Sequence, residues 1–289
     1  MSIKSLVRRV IKAKKDETIS DALQRRKYHI LRRFNHKTFD SEELKKSLVE
    51  LGLKQGDTVI VHCAYRSFVG YNSGPESVIQ TIYDIVAPDG TILSPAFTST
   101  KKSFDKKMPT AAGVISSLLL KLDKCERSVN NVFSMVAIGK KSKELTVDHI
   151  NCTYAFDEHS PYSKAIDDKA KILLLGLGKK PHKISLFHCL TYSLKDQLSC
   201  YKEVYNNNGF YDYTNEYGET VKIEYRDRNN NIQNCKRRFK KLFNKFINKE
   251  SYKRINFLDI YLFDASDMYR KCKNYIVNKN YFIYKVKKC

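Results

Sequence analysis

Eight cysteines are scattered through these 289 residues, and no two of them form a C-x-x-C pair. None has histidine or cysteine partners at zinc-finger spacing, and the seven histidines do not group with carboxylates, so no metal site is expected. Without a disulfide framework, the thiols read as reduced and the chain as cytoplasmic. Long apolar runs are also missing. Nothing approaches the roughly 18 residues of a membrane span, and Met1 to Lys15 lacks the apolar run of a signal peptide. No internal repeat is present. Acidic residues are the last shortage: 31 Asp and Glu face 53 Lys and Arg, a formal net charge of +22.

The positive excess is uneven. Residues 1–40 hold 12 basic and 4 acidic residues, residues 201–289 hold 20 and 10, and the stretch 41–200 holds 21 and 17. A nearly balanced middle therefore lies between two basic ends. With 42% hydrophobic residues the chain can bury a sizeable core. Basic ends solvate a surface or attract an anionic partner such as a membrane, a nucleotide-linked substrate or nucleic acid. No nucleic-acid recognition motif is present, so no specific nucleic acid is expected. Ile3, Leu6, Val7, Val10 and Ile11 recur at helical spacing with Arg8, Arg9, Lys12, Lys14 and Lys15 on the other faces. A second basic helix is expected over 20–33. Such helices either cap the core or lie against the inner face of an anionic membrane as a peripheral contact.

From residue 41 onward helices and strands alternate. Ser41-Glu42-Glu43 opens a helix closed by Gly52, and Asp57 to His62 is a buried strand. Glu76 to Val86 is a helix and Thr91 to Pro95 a strand, separated by Pro88-Asp89-Gly90. A helix over 111–122, a strand over 133–138, a short helix over 140–146 and a strand over 171–175 follow. Beyond residue 200 the texture turns to Tyr, Asn and Gly, then to a basic helix over 236–248, a strand over 260–263, a helix over 264–275 and a terminal strand over 282–286. The expected fold class is α/β: a layered α/β/α core with a central mixed sheet, basic N-terminal helices and a C-terminal α+β section. The expected organisation is an extension over 1–40 and one domain over 41–289, divided into a cofactor-binding core (41–200) and an acceptor-side section (201–289).

Several segments in fixed order carry chemistry. The strand ending at His62 runs into Cys63-Ala64-Tyr65-Arg66-Ser67-Phe68-Val69-Gly70. Pro109-Thr110-Ala111-Ala112-Gly113, Arg127-Ser128, Leu173-Leu174-Leu175-Gly176-Leu177-Gly178 and Ser185-Leu186-Phe187-His188 follow. Together they resemble the aminoglycoside 3-N-acetyltransferase family, whose members use acetyl-coenzyme A to acetylate an amine. The resemblance covers roughly residues 41–275 and is weak after residue 200. It implies an acetyl-coenzyme A-dependent N-acetyltransferase with no metal. On that resemblance Ser67, Gly70, Ala112, Gly113, Arg127 and Ser128 lie near the cofactor, His188 is the base, and Ser185 donates to the carbonyl oxygen.

An amine is mostly ammonium at neutral pH and attacks only when neutral, so a base held within hydrogen-bond reach fits the reaction. The family places an orienting carboxylate in its C-terminal part; Asp227 is the first candidate here and Glu224 the second. The chain also departs from the pattern. Val129-Asn130-Asn131 replaces the family's x-His-Pro after Arg-Ser, and Thr191 replaces a Glu three places after the base, removing one polar contact. Cys63 and Cys189 raise a thiol-nucleophile alternative, although buried inert thiols and direct attack in a ternary complex are expected. The charge of +22 argues against a polycationic acceptor. The expected acceptor is an amino sugar on a nucleotide or lipid diphosphate, used in surface polysaccharide synthesis. An aminoglycoside is the alternative, and an inactive membrane- or nucleic-acid-binding scaffold the third reading. A homo-oligomer is left open.

Overall fold

The computed structural model describes residues 3–14, 17–178 and 184–287. Lys15, the Ile3 side chain and Cys289 lie outside the described residues. In chain order the elements are α1 (Ile3–Val10), α2 (Ile19–Phe34), α3 (Ser41–Glu50), β1 (Thr58–Cys63), α4 (Gly74–Val86), β2 (Thr91–Pro95), β3 (Ser103–Phe104), α5 (Val114–Leu119), β4 (Glu126–Arg127), β5 (Met135–Gly139), α6 (Ser142–Thr146) and α7 (Pro161–Asp167). Then come β6 (Lys171–Leu175), α8 (Leu186–Leu194), α9 (Ser199–Lys202), β7 (Asn207–Thr214), β8 (Thr220–Asp227), β9 (Ile232–Asn234), α10 (Lys236–Phe246), β10 (Tyr252–Ile255), β11 (Leu258–Asp264), α11 (Ala265–Lys279) and β12 (Tyr284–Val286).

The main sheet has the order β10-β11-β6-β1-β2-β5-β4. Its centre, β6-β1-β2, is parallel, and the strands on both flanks are antiparallel to their neighbours. Side chains alternate across it as strand geometry requires. Val59, Val61, Ile92, Leu173 and Leu175 face the layer built from α3, α4 and α5. Ile60, Leu93, Ile172 and Leu174 face the layer of α7, α8, α10 and α11. Each such Val, Leu or Ile contributes about 1.5–3 kcal/mol by leaving water. The result is the layered α/β/α core with a mixed sheet. Because β11 pairs with β6, strands from both sides of residue 200 share one sheet.

β1 lies between β2 and β6. The chain leaves β1 through α4 to one neighbour and returns later to the other, which makes β1 a topological switch point. In open α/β sheets a crevice forms at such a point, at the carboxyl ends of the strands. A second, three-stranded sheet, β3-β7-β8, stands beside it over a small core of Phe104, Val129, Tyr211, Tyr213 and Tyr225.

The structure differs from the sequence expectations in several places. The helix expected over 111–122 starts only at Val114, because Gly113 sits at φ 121°, a conformation outside any helix. Phe133 and Ser134 precede β5 in a turn fastened by Asn130 Oδ1, which accepts from the Val132 and Phe133 amides. The terminal strand is shorter than expected and pairs with β9 outside the main sheet. Helix α7, capped by Ser160 with proline at its first turn, was not expected.

In the N-terminal helices, Thr18 caps α2 through the Asp21 amide, and only Ala22 of α2 is buried. Leu6 and Val10 on α1 and Leu23, Ile30 and Phe34 on α2 are each at least half exposed, beside exposed Arg9, Arg26, Lys27 and Arg33. No described helix is long and apolar enough to cross a membrane.

Candidate active site

The crevice predicted by the strand order holds a cavity of about 520 Å³. Cys63 and Ala64 beyond β1, Ser94 and Pro95 at the end of β2, and Leu177 beyond β6 line it. Ala112, Ile115 and Ser116 close one side, and Ser185 and His188 another. Ser185 caps α8 without turning its hydroxyl back on the helix, and its carbonyl accepts from the His188 amide at 2.8 Å. Three residues apart on one helical turn, the two side chains share a face. Asn234 and Lys236, where β9 gives way to α10, complete the rim.

His188 is half-buried among aromatic rings. Its ring stacks on Phe156 with centroids 4.9 Å apart and lies 5.5 Å from Phe133. Its Nδ1 meets the Tyr205 hydroxyl at 2.6 Å. Burial, and secondarily the nearby Arg228 charge, lower its pKa to about 3, so the imidazole is neutral at pH 7. Asn130-Asn131, in the place of the expected His-Pro, is buried and forms the turn that presents Phe133 to this ring.

The remaining expected residues are placed as follows. Ala112 lines the cavity and Gly113 turns the chain into α5 beside it. Ser67 is buried one layer behind, its Oγ donating to the Ala64 carbonyl at 2.8 Å. It packs against Gly176 so closely that a Cβ there would stand 1.6 Å from Oγ. Gly70 faces away from the cavity, against the Lys37 carbonyl, and its own carbonyl accepts from Phe39.

Arg127 is also structural. Its guanidinium donates to the carbonyls of Lys106, Met108 and Ala96 and stands over the Phe104 ring at 5.0 Å. Burial lowers its pKa to about 10. Through the Lys106 and Met108 carbonyls it fastens the segment leading to Ala112 and Gly113, and its Nη1 and Nη2 are both engaged by backbone carbonyls. Ser128 bonds the Met135 amide and His149 inside the core. Both were expected near the cofactor on the family resemblance, which does not reveal that they are buried here.

Neither expected carboxylate bonds His188. Glu224 is exposed on β8, opposite Phe210. Asp227 borders a narrower space shared with His188, Tyr154 and Tyr192, but both of its oxygens accept from Lys101, at 2.8 and 2.9 Å. The partner on Nδ1 is Tyr205. Thr191 does not lose a polar contact either: its Oγ1 donates to the Phe187 carbonyl at 2.8 Å and meets the Tyr284 hydroxyl at 2.6 Å. Tyr205 and Tyr284 went unnoticed because tyrosines at these spacings look like core. Cys63 and Cys189 both have thiol pKa values raised by burial, Cys189 to about 12, which opposes the thiolate a nucleophile needs. Among the described residues no group of three or more His, Cys, Asp or Glu side chains could hold a metal.

Residues 60–276 match the family described as Aminoglycoside 3-N-acetyltransferase, and the chain belongs to that family. Among curated relatives, Aminoglycoside N(3)-acetyltransferase III of Pseudomonas aeruginosa is 25% identical over 167 residues, covering 50% of this chain and 60% of its own. The chain spans between 53% and 60% of the length of the first curated relatives it matches. Among solved structures, AAC-IIIb in its binary complex with CoASH aligns at TM-score 0.69 and 20% identity, over 84% of this chain and 98% of that one. A variant of AAC(3)-IVa in complex with gentamicin aligns at TM-score 0.69 and 20% identity, over 86% and 92%.

Proposed function

We propose that this protein transfers the acetyl group of acetyl-coenzyme A to an amine of an aminoglycoside. The observation that carries the reading is the pair Ser185 and His188 on the first turn of α8, opening into the crevice at the ends of β1, β2 and β6. Apolar walls with the Ser94 and Ser116 hydroxyls suit a pantetheine arm, and Lys236 at the rim suits its phosphates. His188 takes the proton from the acceptor nitrogen as that nitrogen attacks the thioester carbon. Ser185 donates to the carbonyl oxygen as negative charge develops. The C–S bond breaks, and His188 hands its proton to the departing thiolate. An imidazolium beside Arg228 is a strong acid and gives the proton up readily.

A nucleotide- or lipid-linked amino sugar for surface polysaccharide rests on net charge alone. The names of the relatives support the aminoglycoside, and the positive excess lies largely on the two ends of the chain. The test is thiol release from acetyl-coenzyme A with a panel of amines. Turnover with aminoglycosides and none with nucleotide-linked amino sugars is expected; the reverse preference overturns the acceptor.

A separate observation favours a peripheral membrane contact. The exposed Leu6, Val10, Leu23, Ile30 and Phe34, set among arginines and lysine, suit the interface of an anionic bilayer. Co-sedimentation with phosphatidylserine vesicles is expected, weakened at least tenfold by Ile30→Ser with Phe34→Ser. Equal recovery with neutral vesicles removes this reading.

A further inference from the structure

We propose that α1 and α2 enclose a seat for the phosphate monoester of an anionic lipid headgroup, with Lys12, Arg26 and His29 as its donors. The seat rests on the peripheral membrane reading and sharpens it, from a general attraction of basic helices to recognition of one chemical group.

Between the two helices lies a cavity of about 280 Å³, lined by Ile11, Lys12, Arg25, Arg26, His29 and Ile30. No carboxylate lines it. Arg25 serves the fold: its Nε and Nη2 donate to Glu17 at 3.0 and 2.9 Å, and Nη2 also donates to the Lys12 carbonyl at 2.9 Å. Arg26 ties one nitrogen, Nη1, to the Val10 carbonyl at 3.1 Å. Its Nε and Nη2, the Lys12 ammonium and the His29 ring have no hydrogen-bond or ion-pair partner among the described residues. Glu17 does not neutralise them, because Arg25 and the Lys14 amide hold its carboxylate. Three donor groups around one cavity, two of them cationic, match the three terminal oxygens of a phosphate monoester.

The backbone gives a second sign. Helix α1 ends in a turn where the Ala13 amide donates to the Arg8 carbonyl at 2.9 Å and the Lys12 amide to the Arg9 carbonyl at 3.1 Å, with Lys12 at φ 47°. Glycine is the ordinary occupant of that left-handed position, having no Cβ to clash. A lysine there weakens the turn and gives the cavity an ammonium.

The lipid assignment comes from the same helices. Leu23, Ile30 and Phe34 stand seven and four residues apart, in one line along α2, and each is at least half exposed. Ile30 belongs both to that line and to the cavity wall. Val10, whose carbonyl holds Arg26, is exposed beside it. Nucleic acid offers phosphates but nothing for an apolar line, whereas a bilayer interface offers both.

The experiment compares vesicles carrying phosphatidic acid, an exposed monoester, with vesicles carrying phosphatidylserine, a diester, at matched surface charge, by co-sedimentation with the full chain. Wild type is expected to bind phosphatidic acid at least about fivefold tighter, the effect of one added close contact between charges at the surface. Lys12→Gly with His29→Gln should abolish that preference. The glycine suits the turn, and an unchanged thermal melt shows that the loss is not unfolding. Lys27→Gln with Arg33→Gln removes charge from α2 outside the cavity. It should weaken binding to both vesicles alike and keep the preference. Equal binding of both vesicles by wild type, or a preference that survives Lys12→Gly with His29→Gln, overturns the seat and leaves the general membrane contact standing. Binding to neither vesicle removes both. Glycerol 3-phosphate carries the same phosphate without acyl chains, so binding of it without binding of vesicles makes the occupant soluble and overturns the lipid assignment. An RNA oligonucleotide bound more tightly than either vesicle overturns it too.

Discussion

Replacing His188 by asparagine or glutamine is expected to lower kcat/KM for the proposed acetyl transfer by about 10²–10⁴-fold, the range a positioned base supplies. These amides keep most of the side-chain volume between Phe156 and Phe133 and retain a polar atom for Tyr205, but they cannot take a proton. Alanine removes the same chemistry and also leaves a void against those rings, so it mixes lost catalysis with lost packing. Thiol release measured on folded variants separates the two. Burial and Arg228 hold the pKa of His188 near 3, so the wild-type kcat/KM profile shows no inflection from this ring between pH 5 and 9. The rising limb belongs to the acceptor amine shedding its proton. Turnover within threefold of wild type in His188→Gln removes the base from the mechanism.

How far the site was legible follows from what each signal encodes. Ser185 and His188 are three apart on one helix, so local spacing carries their relationship. The loops after β1 and β6 were legible as glycine-bearing breaks after apolar strands. Their meeting, with Ser67 against Gly176, required knowing that β1 pairs with β6 across more than 100 residues. The orienting partner was beyond reach for the same reason. Tyr205 is 17 residues from His188 and Tyr284 is 93 from Thr191, and no periodicity links them. Asp227 and Glu224 were natural choices because a carboxylate is the ordinary partner of an imidazole. The β7–β8 hairpin instead exposes Glu224 and gives Asp227 to Lys101.

The fold shows the same division. Alternation of helix and strand sufficed for the layered α/β/α class, because buried strands and amphipathic helices leave periodic marks. Antiparallel placement of β5, β10 and β11 leaves none, since an apolar strand looks alike in either direction. Arg127 is the sharpest case. On the family resemblance it was expected near the cofactor. Here three backbone carbonyls, from the segments on either side of β3, accept from its guanidinium, so it fastens the chain that leads to Ala112 and Gly113.

Lowering the pH from 7 to 4 destabilises the fold steeply through its buried histidines. His62 and His149 are almost fully buried, and burial lowers each pKa to about 4, with the Ala155 carbonyl opposing this slightly at His149. In the unfolded chain both titrate near 6.5. Between those values the unfolded state binds protons that the native state refuses, so stability rises with pH across the window and is lost on acidification. Each histidine contributes roughly 1.4 kcal/mol per pH unit, about 3 kcal/mol over the window. The pair then matches a large part of a typical folding free energy of about 5–15 kcal/mol. His188 adds in the same direction. Asp157 works against them, because burial raises its pKa and its unfolded carboxyl loses its proton first. Repulsion from the charge of +22 grows as carboxylates neutralise and acts with the histidines. Urea midpoints measured from pH 7 to 4 should give a slope near two protons or more around pH 5. His149→Gln and His62→Gln should each flatten that slope by about one proton, whatever they do to stability at pH 7. A slope below one proton in the wild-type chain would mean that these rings are already charged in the native state and would overturn the prediction, since burial disfavours that charge. His149 lies between Ser128 and the Ala155 carbonyl, and His62 meets only the Tyr162 hydroxyl, with no carboxylate beside either to hold an imidazolium.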